Sequence, residues 1–452
     1  MKVALVMPLD SRSAIADVTL RAVPTLAVAW ELVVWAPRAE SMRTCPVPVR
    51  VFDSPTPDIV AELRGYDLVV YVLGDSAFHA AILPLCRSLP GLVVLHDAAI
   101  TNLAVCSAVE FGWLDELMRH LVLEHGPDEA LAVRDRSSLD ALQWLQLCSR
   151  IPLTECALDT SLGAVVHSRW HAAMIEGRTL GEVRVQELPI PTLVRDAGPL
   201  SDGVAAMLSA IRPDTVLVVT VGHVNANRCV DRLLAAVGSD SGLRDRVAVW
   251  AVGAVASEMR DALEREGRRA GGVALTLTGR VTDGELTAIL DRADIGVALR
   301  DPVLEGTSAS ALTQMRFGLP LVVLDHGHYS ELPDSAVVKV DPSSGPGGVA
   351  RGLLRLVERP EERVKMGAAA RRWATRPREA ADYAQTLIDA GTHALATRPF
   401  MVMATETNRA LLTAGLEADR TVVNRVLELG EQLFGLSADG HSVAVTSAPS
   451  VG

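Results

Sequence analysis

The chain has 452 residues, 49% of them apolar and 22% charged, with a formal net charge of −12. This length suits two or three packed domains. The acidic balance argues against a nucleic-acid-binding protein, which normally has a basic face, and against docking on anionic lipid. No apolar run reaches the roughly 20 residues of a membrane span. The six cysteines form no C-x-x-C pair, so we expect free thiols in a reducing cytoplasm.

Continuous apolar runs separated by helix-length segments predict parallel strands that are covered on both faces. In the first half, these runs are 3–7, 32–36, 68–73, 92–95, 165–166 and 183–188. Helical segments are predicted at 15–29 and 77–88. A segment dense in Pro, Gly and Asp at 189–203 predicts a linker. The strand pattern then resumes at 215–221, 247–252, 273–278, 295–299, 321–324 and 337–340.

This rhythm predicts an α/β fold with two doubly wound parallel sheets. The expected divisions are an N-terminal Rossmann-like domain at 1–196, a second one at 201–376, a helix at 377–396 that returns toward the first domain, a helical extension at 397–436 and a disordered tail at 437–452. Neither G-x-G-x-x-G nor G-x-x-x-x-G-K-[ST] occurs in the sequence. Their absence argues against dehydrogenases and P-loop nucleotidases.

Three segments of the second half combine a glycine turn with neighbouring polar or charged residues. The first runs from Thr220 through Gly222 to Asn227 and Arg228, the second is Leu277-Thr-Gly279-Arg280, and the third is Glu305-Gly306-Thr307-Ser308 followed by Phe317-Gly318-Leu-Pro320. In the first half, segments 71–79, 90–97 and 165–170 belong to the same pattern. Together these motifs resemble the GT-B glycosyltransferases, in particular retaining family 4, over residues 1–390. The near absence of lysine indicates the high-GC coding of actinobacteria.

The resemblance implies a GT-B fold, in which the two domains face a cleft that binds a nucleotide sugar. No D-x-D motif is present to hold a divalent metal. We therefore expect an arginine and the N-terminal amides of a helix over 310–317 to stabilise the departing diphosphate. The resemblance further implies that Glu305 contacts sugar hydroxyls. It places Thr313 where relatives carry a ribose-binding Glu, and it places His96 beside the transferred sugar.

The candidate residues fall into three groups. The catalytic candidates are His96, Arg228 and Glu305. The nucleotide-sugar-binding candidates are Gly222, Asn227, Arg228, Gly279, Arg280, Glu305, Gly306, Thr307, Ser308 and Thr313. The acceptor-binding candidates are Ser13, Asp17, Asp75, His79 and Asp97.

The expected function is retaining, metal-independent transfer from a UDP or GDP sugar to a small soluble acceptor, without a further cofactor. Similar enzymes of antibiotic pathways suggest an aminocyclitol hydroxyl or, as in lincosamide pathways, a small thiol. Residues 1–196 hold 24 Asp and Glu against 16 Lys and Arg, which favours a cationic or zwitterionic acceptor. The alternatives are a catalytically silent GT-B partner subunit and a nucleotide-sugar epimerase. The C-terminal helix is a candidate homodimer contact.

Overall fold

Two parallel sheets form the framework of the protein. The computed structural model describes residues 1–179, 181–189, 200–376 and 379–413. Within these residues, the first sheet has seven strands in the order β3-β2-β1-β4-β5-β6-β7, and the second has six in the order β10-β9-β8-β11-β12-β13. The predicted fold class, two doubly wound Rossmann-like domains, is confirmed.

The strands of the first sheet are β1 (Lys2–Val6), β2 (Glu31–Pro37), β3 (Val49–Phe52), β4 (Leu68–Leu73), β5 (Leu92–Leu95), β6 (Gly163–Val166) and β7 (Val183–Val185). Those of the second are β8 (Val216–Val221), β9 (Val247–Val252), β10 (Ala274–Gly279), β11 (Ile295–Ala298), β12 (Leu321–Leu324) and β13 (Val337–Val340).

The helices of the first domain are α1 (Ala14–Ala29), α2 (Pro57–Leu63), α3 (Leu83–Ser88), α4 (Thr101–Glu110), α5 (Leu114–His125), α6 (Pro127–Arg134), α7 (Ala141–Arg150), α8 (Glu155–Leu158) and α9 (Arg169–Met174). Those that follow are α10 (Asp202–Ser209), α11 (Val230–Gly238), α12 (Ser241–Arg244), α13 (Ser257–Arg269), α14 (Asp283–Arg292), α15 (Ala309–Arg316), α16 (Gly345–Glu358), α17 (Pro360–Thr375) and α18 (Ala380–Thr413). Short 3-10 turns span Ala77–His79, Arg136–Ser138, Ala226–Arg228, Gly327–Glu331 and Pro342–Ser344.

The continuous apolar strands reflect burial on both faces of each sheet. Along β1, Val3 and Leu5 pack into one hydrophobic core, while Ala4 and Val6 pack into the core on the opposite face. Because side chains alternate between the faces of a strand, every position must be apolar when helices cover both faces. This is why a period-two pattern is absent from the sequence.

Three parts of the fold differ from the sequence-based expectation. Strand β3 was not predicted, because its first three residues are exposed and it lies at the sheet edge. The helix predicted at 77–88 is a 3-10 turn followed by the short helix α3, which has a proline in its first turn. Helices α4 to α8 form an insertion between β5 and β6 that the strand pattern did not reveal.

Helix α18 runs from the end of the second domain back onto the first. Tyr383, Leu387 and Ala394 belong to the same hydrophobic core as α1. The helix is continuous across the expected boundary at 396/397. Residues 190–199 of the predicted linker, 414–436 of the predicted extension and the tail at 437–452 lie outside the described residues.

Candidate active site between the two sheets

The carboxyl ends of the strands of both sheets meet at one interface. In each sheet the strand order reverses beside the first strand, between β1 and β4 and between β8 and β11. Open α/β sheets bind ligands at such switch points, outside the carboxyl ends of the strands. The predicted site residues follow β4, β5, β8, β10 and β11, or lie at the start of α1 and at the start and in the second turn of α15.

After β8, the chain folds into a turn that seats the Arg228 side chain. Gly222 has a φ of 115°, and a Cβ built there would stand 2.0 Å from Arg228 Nη2. Arg228 Nε donates to the carbonyl of His223 at 2.8 Å, so the guanidinium lies directly over the glycine. The residue is only 8% exposed. Burial, aided by the neighbouring Arg300 charge, lowers the pKa of Arg228 to about 10, so it remains a cation at neutral pH.

The start of α15 lies next to this guanidinium. Arg228 Nη1 is 3.5 Å from Ser310 Oγ in the first turn of the helix. Ser308 is the N-cap, and its hydroxyl accepts from the amide of Ala311 at 3.3 Å. The helix begins one residue earlier than expected. The arginine and the helix N-terminus are thus neighbours, as anion binding at this edge requires.

The other nucleotide-side candidates occupy distinct places. Asn227 is buried, and its side-chain amide donates to the carbonyl of Pro302 at 3.0 Å. Gly279 ends β10 with a φ of 72°, and Arg280 beyond it is exposed. Thr307 is half-buried ahead of the helix. Thr313, one turn inside the helix, donates its hydroxyl to the carbonyl of Ala309 at 2.9 Å.

Glu305 is held by side chains from two elements. Its Oε1 lies 3.0 Å from Nε of Arg300 and accepts a hydrogen bond from the Tyr329 hydroxyl at 3.1 Å. His328 Nε2 stands 3.9 Å away. Burial alone would raise the pKa of Glu305, but the Arg300 charge and the nearby imidazole outweigh it and hold that pKa well below its usual range. Glu305 is therefore an anion.

The two domains touch through the segments that carry these candidates. Gly306 donates its amide to the carbonyl of His96 at 2.9 Å, and its own carbonyl accepts from the Ser168 hydroxyl at 2.6 Å. Asp97 and Glu305 form an isolated antiparallel bridge. Gly306 must lack a side chain here, because a Cβ would lie 2.3 Å from Nδ1 of His171. The strand end of one domain thus meets the loop of the other.

Buried histidines surround this contact. The rings of His96 and His167 are 4.4 Å apart, and burial, with help from the neighbouring imidazoles, depresses the pKa of His96. His167 Nδ1 pairs with the carbonyl of Gln186 at 2.9 Å, so this nitrogen carries the proton and Nε2 is an acceptor. Within the described chain, Nε2 of His96 and of His167 have no protein partner. Buried polar atoms of folded proteins are nearly always hydrogen-bonded, so these two nitrogens stand out.

The acceptor-side candidates after β4 and β5 cluster around Gly74. A Cβ on Gly74 would lie 3.0 Å from Asp97 Oδ2 and 3.4 Å from His79 Nε2. Asp97 Oδ2 accepts the amide of Asp75 at 2.6 Å. Burial, with the charges of Asp75 and Glu305, raises the pKa of Asp97 to about 7. Asp97 can therefore hold or release a proton near neutrality.

Two of these candidates also have structural partners. Asp75 accepts hydrogen bonds from the Asn102 side chain at 2.6 Å and from the Leu103 amide at 2.9 Å, which ties it to the start of α4. His79 Nδ1 pairs with the carbonyl of Val72 at 3.0 Å. Burial raises the pKa of Asp75 to about 6 and lowers that of His79 to about 4.

Ser13 and Asp17 lie at the start of α1. Ser13 is the N-cap and accepts from the Ala16 amide at 3.2 Å. Asp17 is half-exposed and pairs with Arg21 at 3.2 Å and Arg43 at 3.5 Å. Asp17, unlike the buried Ser13, therefore presents its polar group to solvent.

Several neighbours of the site were missed in the sequence. They are Arg300, Tyr329, His328, His171 and Gly253. Arg300 directly follows a predicted strand, and that position was the one available signal. Among the described residues, no group of three or more His, Cys, Asp or Glu is arranged to hold a metal ion. In the same part of the chain, no helix has the length and hydropathy of a membrane span.

Comparisons with known proteins agree with this architecture. Residues 215–359 match the family model described as glycosyl transferases group 1. WaaG, a glycosyltransferase involved in lipopolysaccharide biosynthesis, is 15% identical with a TM-score of 0.57, the alignment covering 85% of this chain and 99% of that one. Sucrose-phosphate synthase from Thermosynechococcus elongatus is 15% identical with a TM-score of 0.55, covering 92% and 100%.

A third solved structure contains a ligand. Anabaena HepE in complex with UDP-glucose is 11% identical with a TM-score of 0.56, covering 86% of this chain and 98% of that one. Likeness at these identities establishes the shared fold. No curated protein sequence matches the chain.

Proposed function

The chain is a glycosyltransferase of GT-B fold with a glycosyl transferases group 1 domain, and we propose that it is a retaining, metal-independent enzyme. It moves a sugar from a nucleoside diphosphate to a small soluble acceptor. The supporting observation is the buried Arg228 guanidinium, seated over Gly222 and 3.5 Å from the first turn of α15. A guanidinium fork and helix amides stabilise diphosphate charge without a metal.

Each side of the cleft supplies a different part of the reaction. Arg228 and the amides at the start of α15 bind the diphosphate and stabilise the charge that grows on it as the sugar leaves. The ionised Glu305 accepts hydrogen bonds from hydroxyl groups of the transferred sugar. His96 of the first domain lies across the interface from these residues, and its carbonyl accepts from the amide of Gly306. Nε2 of His96 has no partner among the described residues. These roles use the chemistry of groups that lie at one interface.

Retention follows from the resemblance to family 4, which implies a front-face displacement. In that scheme the acceptor attacks on the side from which the diphosphate departs, and the leaving phosphate oxygen takes the acceptor proton. No protein base is required. Asp97, with a pKa raised to about 7, lies on the acceptor side and can hydrogen-bond the incoming group.

The substrates are proposed by class. HepE was solved with UDP-glucose, so UDP sugars are the first donors to test, followed by GDP sugars. The acidic N-terminal domain supports a cationic or zwitterionic acceptor. Aminocyclitol hydroxyls and small thiols, as found in antibiotic biosynthesis, are the two acceptor classes proposed.

Two measurements test this function. In a thermal-shift screen of UDP, GDP, ADP and TDP, the cognate nucleotide should raise Tm; at 100 times Kd, the gain is about 2.7 kcal/mol. Release of nucleoside diphosphate from sugar donors, with and without acceptors, then measures turnover. Arg228→Met should lower turnover about 100-fold or more. Nucleotide binding without turnover for any pair would instead favour a silent subunit.

Metal independence has its own test. Turnover should survive EDTA, because the sequence has no D-x-D and charge stabilisation is assigned to Arg228 and helix amides. Loss of activity in EDTA that Mg²⁺ or Mn²⁺ restores would contradict this part of the proposal.

A further inference from the structure

Arg300 connects two parts of the candidate site. It follows β11, which pairs with β8 at the switch point of the second sheet. Its side chain is 13% exposed. Nε lies 3.0 Å from Glu305 Oε1, and Nη1 donates to Asn227 Oδ1 at 2.6 Å. One guanidinium thus contacts both the sugar-side carboxylate and the residue that precedes Arg228.

Tyr329 approaches the same carboxylate oxygen from another element. The residue is fully buried, and its hydroxyl donates to Glu305 Oε1 at 3.1 Å. His328 also approaches Oε1, from 3.9 Å, beyond hydrogen-bonding distance. Oε1 is therefore the anchored oxygen of Glu305.

We propose that Arg300 and Tyr329 are positioning residues that hold the Glu305 carboxylate for the sugar hydroxyls, while Arg300 also aligns it with the turn that carries Arg228. This inference rests on the proposed function for the identity of the ligand. The contacts themselves are independent of that function. Neither residue is assigned a direct contact with the reacting atoms.

Electrostatics explains why a guanidinium is required at this position. Glu305 is largely buried, at 16% side-chain exposure, and burial favours its neutral form. The Arg300 charge is the largest influence that opposes burial, and it keeps the carboxyl ionised. Arg300 also lies close enough to Arg228 to lower the pKa of that residue. Glu305 is thus the counter-charge between two neighbouring arginines.

A double-mutant cycle separates positioning from general structural support. Arg300→Met and Tyr329→Phe should each lower kcat about 10- to 150-fold, as expected when a hydrogen bond or ion pair to a charged group is lost. Donor KM should change less than kcat. In a Glu305→Gln background, Tyr329→Phe should change kcat by no more than about twofold, because its effect acts through Glu305. Arg300→Met should lower kcat less than it does in the wild-type background, because only its contact with Asn227 remains to be lost. Fully additive losses would overturn the proposal.

A second readout does not require activity. Infrared pH titration, taken as the difference between each protein and its Glu305→Gln counterpart, isolates the carboxyl band of Glu305. In Arg300→Met this carboxyl should protonate at higher pH than in the wild type, and Tyr329→Phe should shift it in the same direction. An unchanged titration in both variants would refute the proposed anchoring.

Arg232→Met is the matched control. Arg232 pairs with Asp301, the residue after Arg300, at 3.0 Å, and has 22% side-chain exposure. This variant should leave both kcat and the Glu305 titration unchanged. If Arg300→Met does not fold, Tyr329→Phe still decides the outcome. A wild type that transfers no sugar would refute the proposed function, while the titration would still test the anchoring.

Discussion

At the residue scale, one missing side chain creates the seat of the phosphate-side arginine. Arg228 could not lie over residue 222 if that residue carried a Cβ, since the atom would stand 2.0 Å from Nη2. The positive φ of Gly222 adds a second reason for glycine. Gly253, which follows β9, is required beside this turn, because its Cβ would lie 2.1 Å from the carbonyl oxygen of Gly222.

Gly222→Ala should therefore lose activity beyond its loss of stability. Strain at a positive φ costs about 1–3 kcal/mol, and the new methyl group must also displace Arg228, so turnover should fall about 100-fold. Gly272→Ala is the control, because Gly272 has a φ of 79° but a Cβ there would meet no atom within 4 Å. Urea denaturation should show similar destabilisation of the two variants. Turnover should be lost only in Gly222→Ala. Equal activity in the two variants would show that Arg228 is not needed.

Glu305→Ala should affect catalysis more than nucleotide binding. The diphosphate contacts remain, while loss of a hydrogen bond to a charged group lowers turnover about 10- to 150-fold. Calorimetry with the preferred nucleoside diphosphate should give nearly wild-type affinity. Abolished nucleotide binding would place Glu305 at the ribose or in the loop fold instead.

Thr313→Glu tests the ribose position. Thr313 is half-buried, and its hydroxyl bonds to the carbonyl of Ala309 in its own helix. A carboxylate there should tighten nucleotide binding by accepting hydrogen bonds from the ribose hydroxyls. The neutral side chain of Thr313→Gln should raise nucleotide affinity less than the carboxylate does. Calorimetry of both variants with the same nucleotide checks this, and unchanged affinity in Thr313→Glu would remove residue 313 from the site.

At the element scale, a short helix of the first domain is capped by the second. Helix α9 has six residues, and its amides at Arg169 and Trp170 donate to the Glu331 carboxylate at 3.2 and 2.6 Å. Ser168 supplies the N-cap from the same domain and accepts from His171. An anion at a helix N-terminus satisfies free amides and complements the helix dipole. Helix α9 thus depends on the contact between the domains.

Glu331→Gln should weaken this contact. The amide side chain can still accept a hydrogen bond, but the charge is lost, so the free energy of unfolding should fall by about 1 kcal/mol. Glu361→Gln is the control, because Glu361 lies exposed in the first turn of α17 within one domain. Urea denaturation of both variants measures the difference. An equal, small effect would show that the interdomain cap contributes nothing specific.

At the scale of the whole molecule, the domain interface buries imidazoles in their neutral form. His171 is fully buried, and burial, with the neighbouring imidazoles, lowers its pKa to about 3. The unfolded chain takes up this proton near pH 6.5. As pH falls below 6.5, the unfolded state therefore binds a proton that the folded state does not, and stability decreases.

His171→Leu should flatten this acid dependence. At pH 5, the protonation of this residue in the unfolded chain lowers the free energy of unfolding of the wild type by about 2 kcal/mol. The change in the free energy of unfolding caused by His171→Leu should therefore be about 2 kcal/mol more favourable at pH 5 than at pH 8. His120→Leu should instead destabilise the protein more at pH 5 than at pH 8. The hydrogen bond to Glu155 raises the pKa of His120, so the protonated His120 stabilises the fold below pH 6.5. Urea unfolding curves of the wild type and both variants at pH 5 and pH 8 measure these differences. The same sign in both variants would contradict the assignment.

The sequence by itself determined the class of fold and the class of enzyme. Strands covered on both faces must be continuously apolar, so the buried strands could be located without knowledge of their contacts, and the motifs around Gly222, Gly279 and Glu305 indicated a glycosyltransferase. The edge strand β3 was not predicted, because an exposed edge strand does not require a continuous apolar run. The catalytic and binding roles of individual residues remain predictions.

Only the tertiary structure decided what those residues touch. Nothing near Glu305 in the sequence indicates that Tyr329, 24 positions later, donates to its carboxylate. Nor does the sequence around Asp75 indicate that this residue accepts hydrogen bonds from Asn102 and Leu103 of α4. The contact of Gly306 with His96 likewise depends on how two separate sheets pack. Apolar periodicity is a local property that burial imposes on each element, whereas polar side chains find their partners through the packing of distant elements.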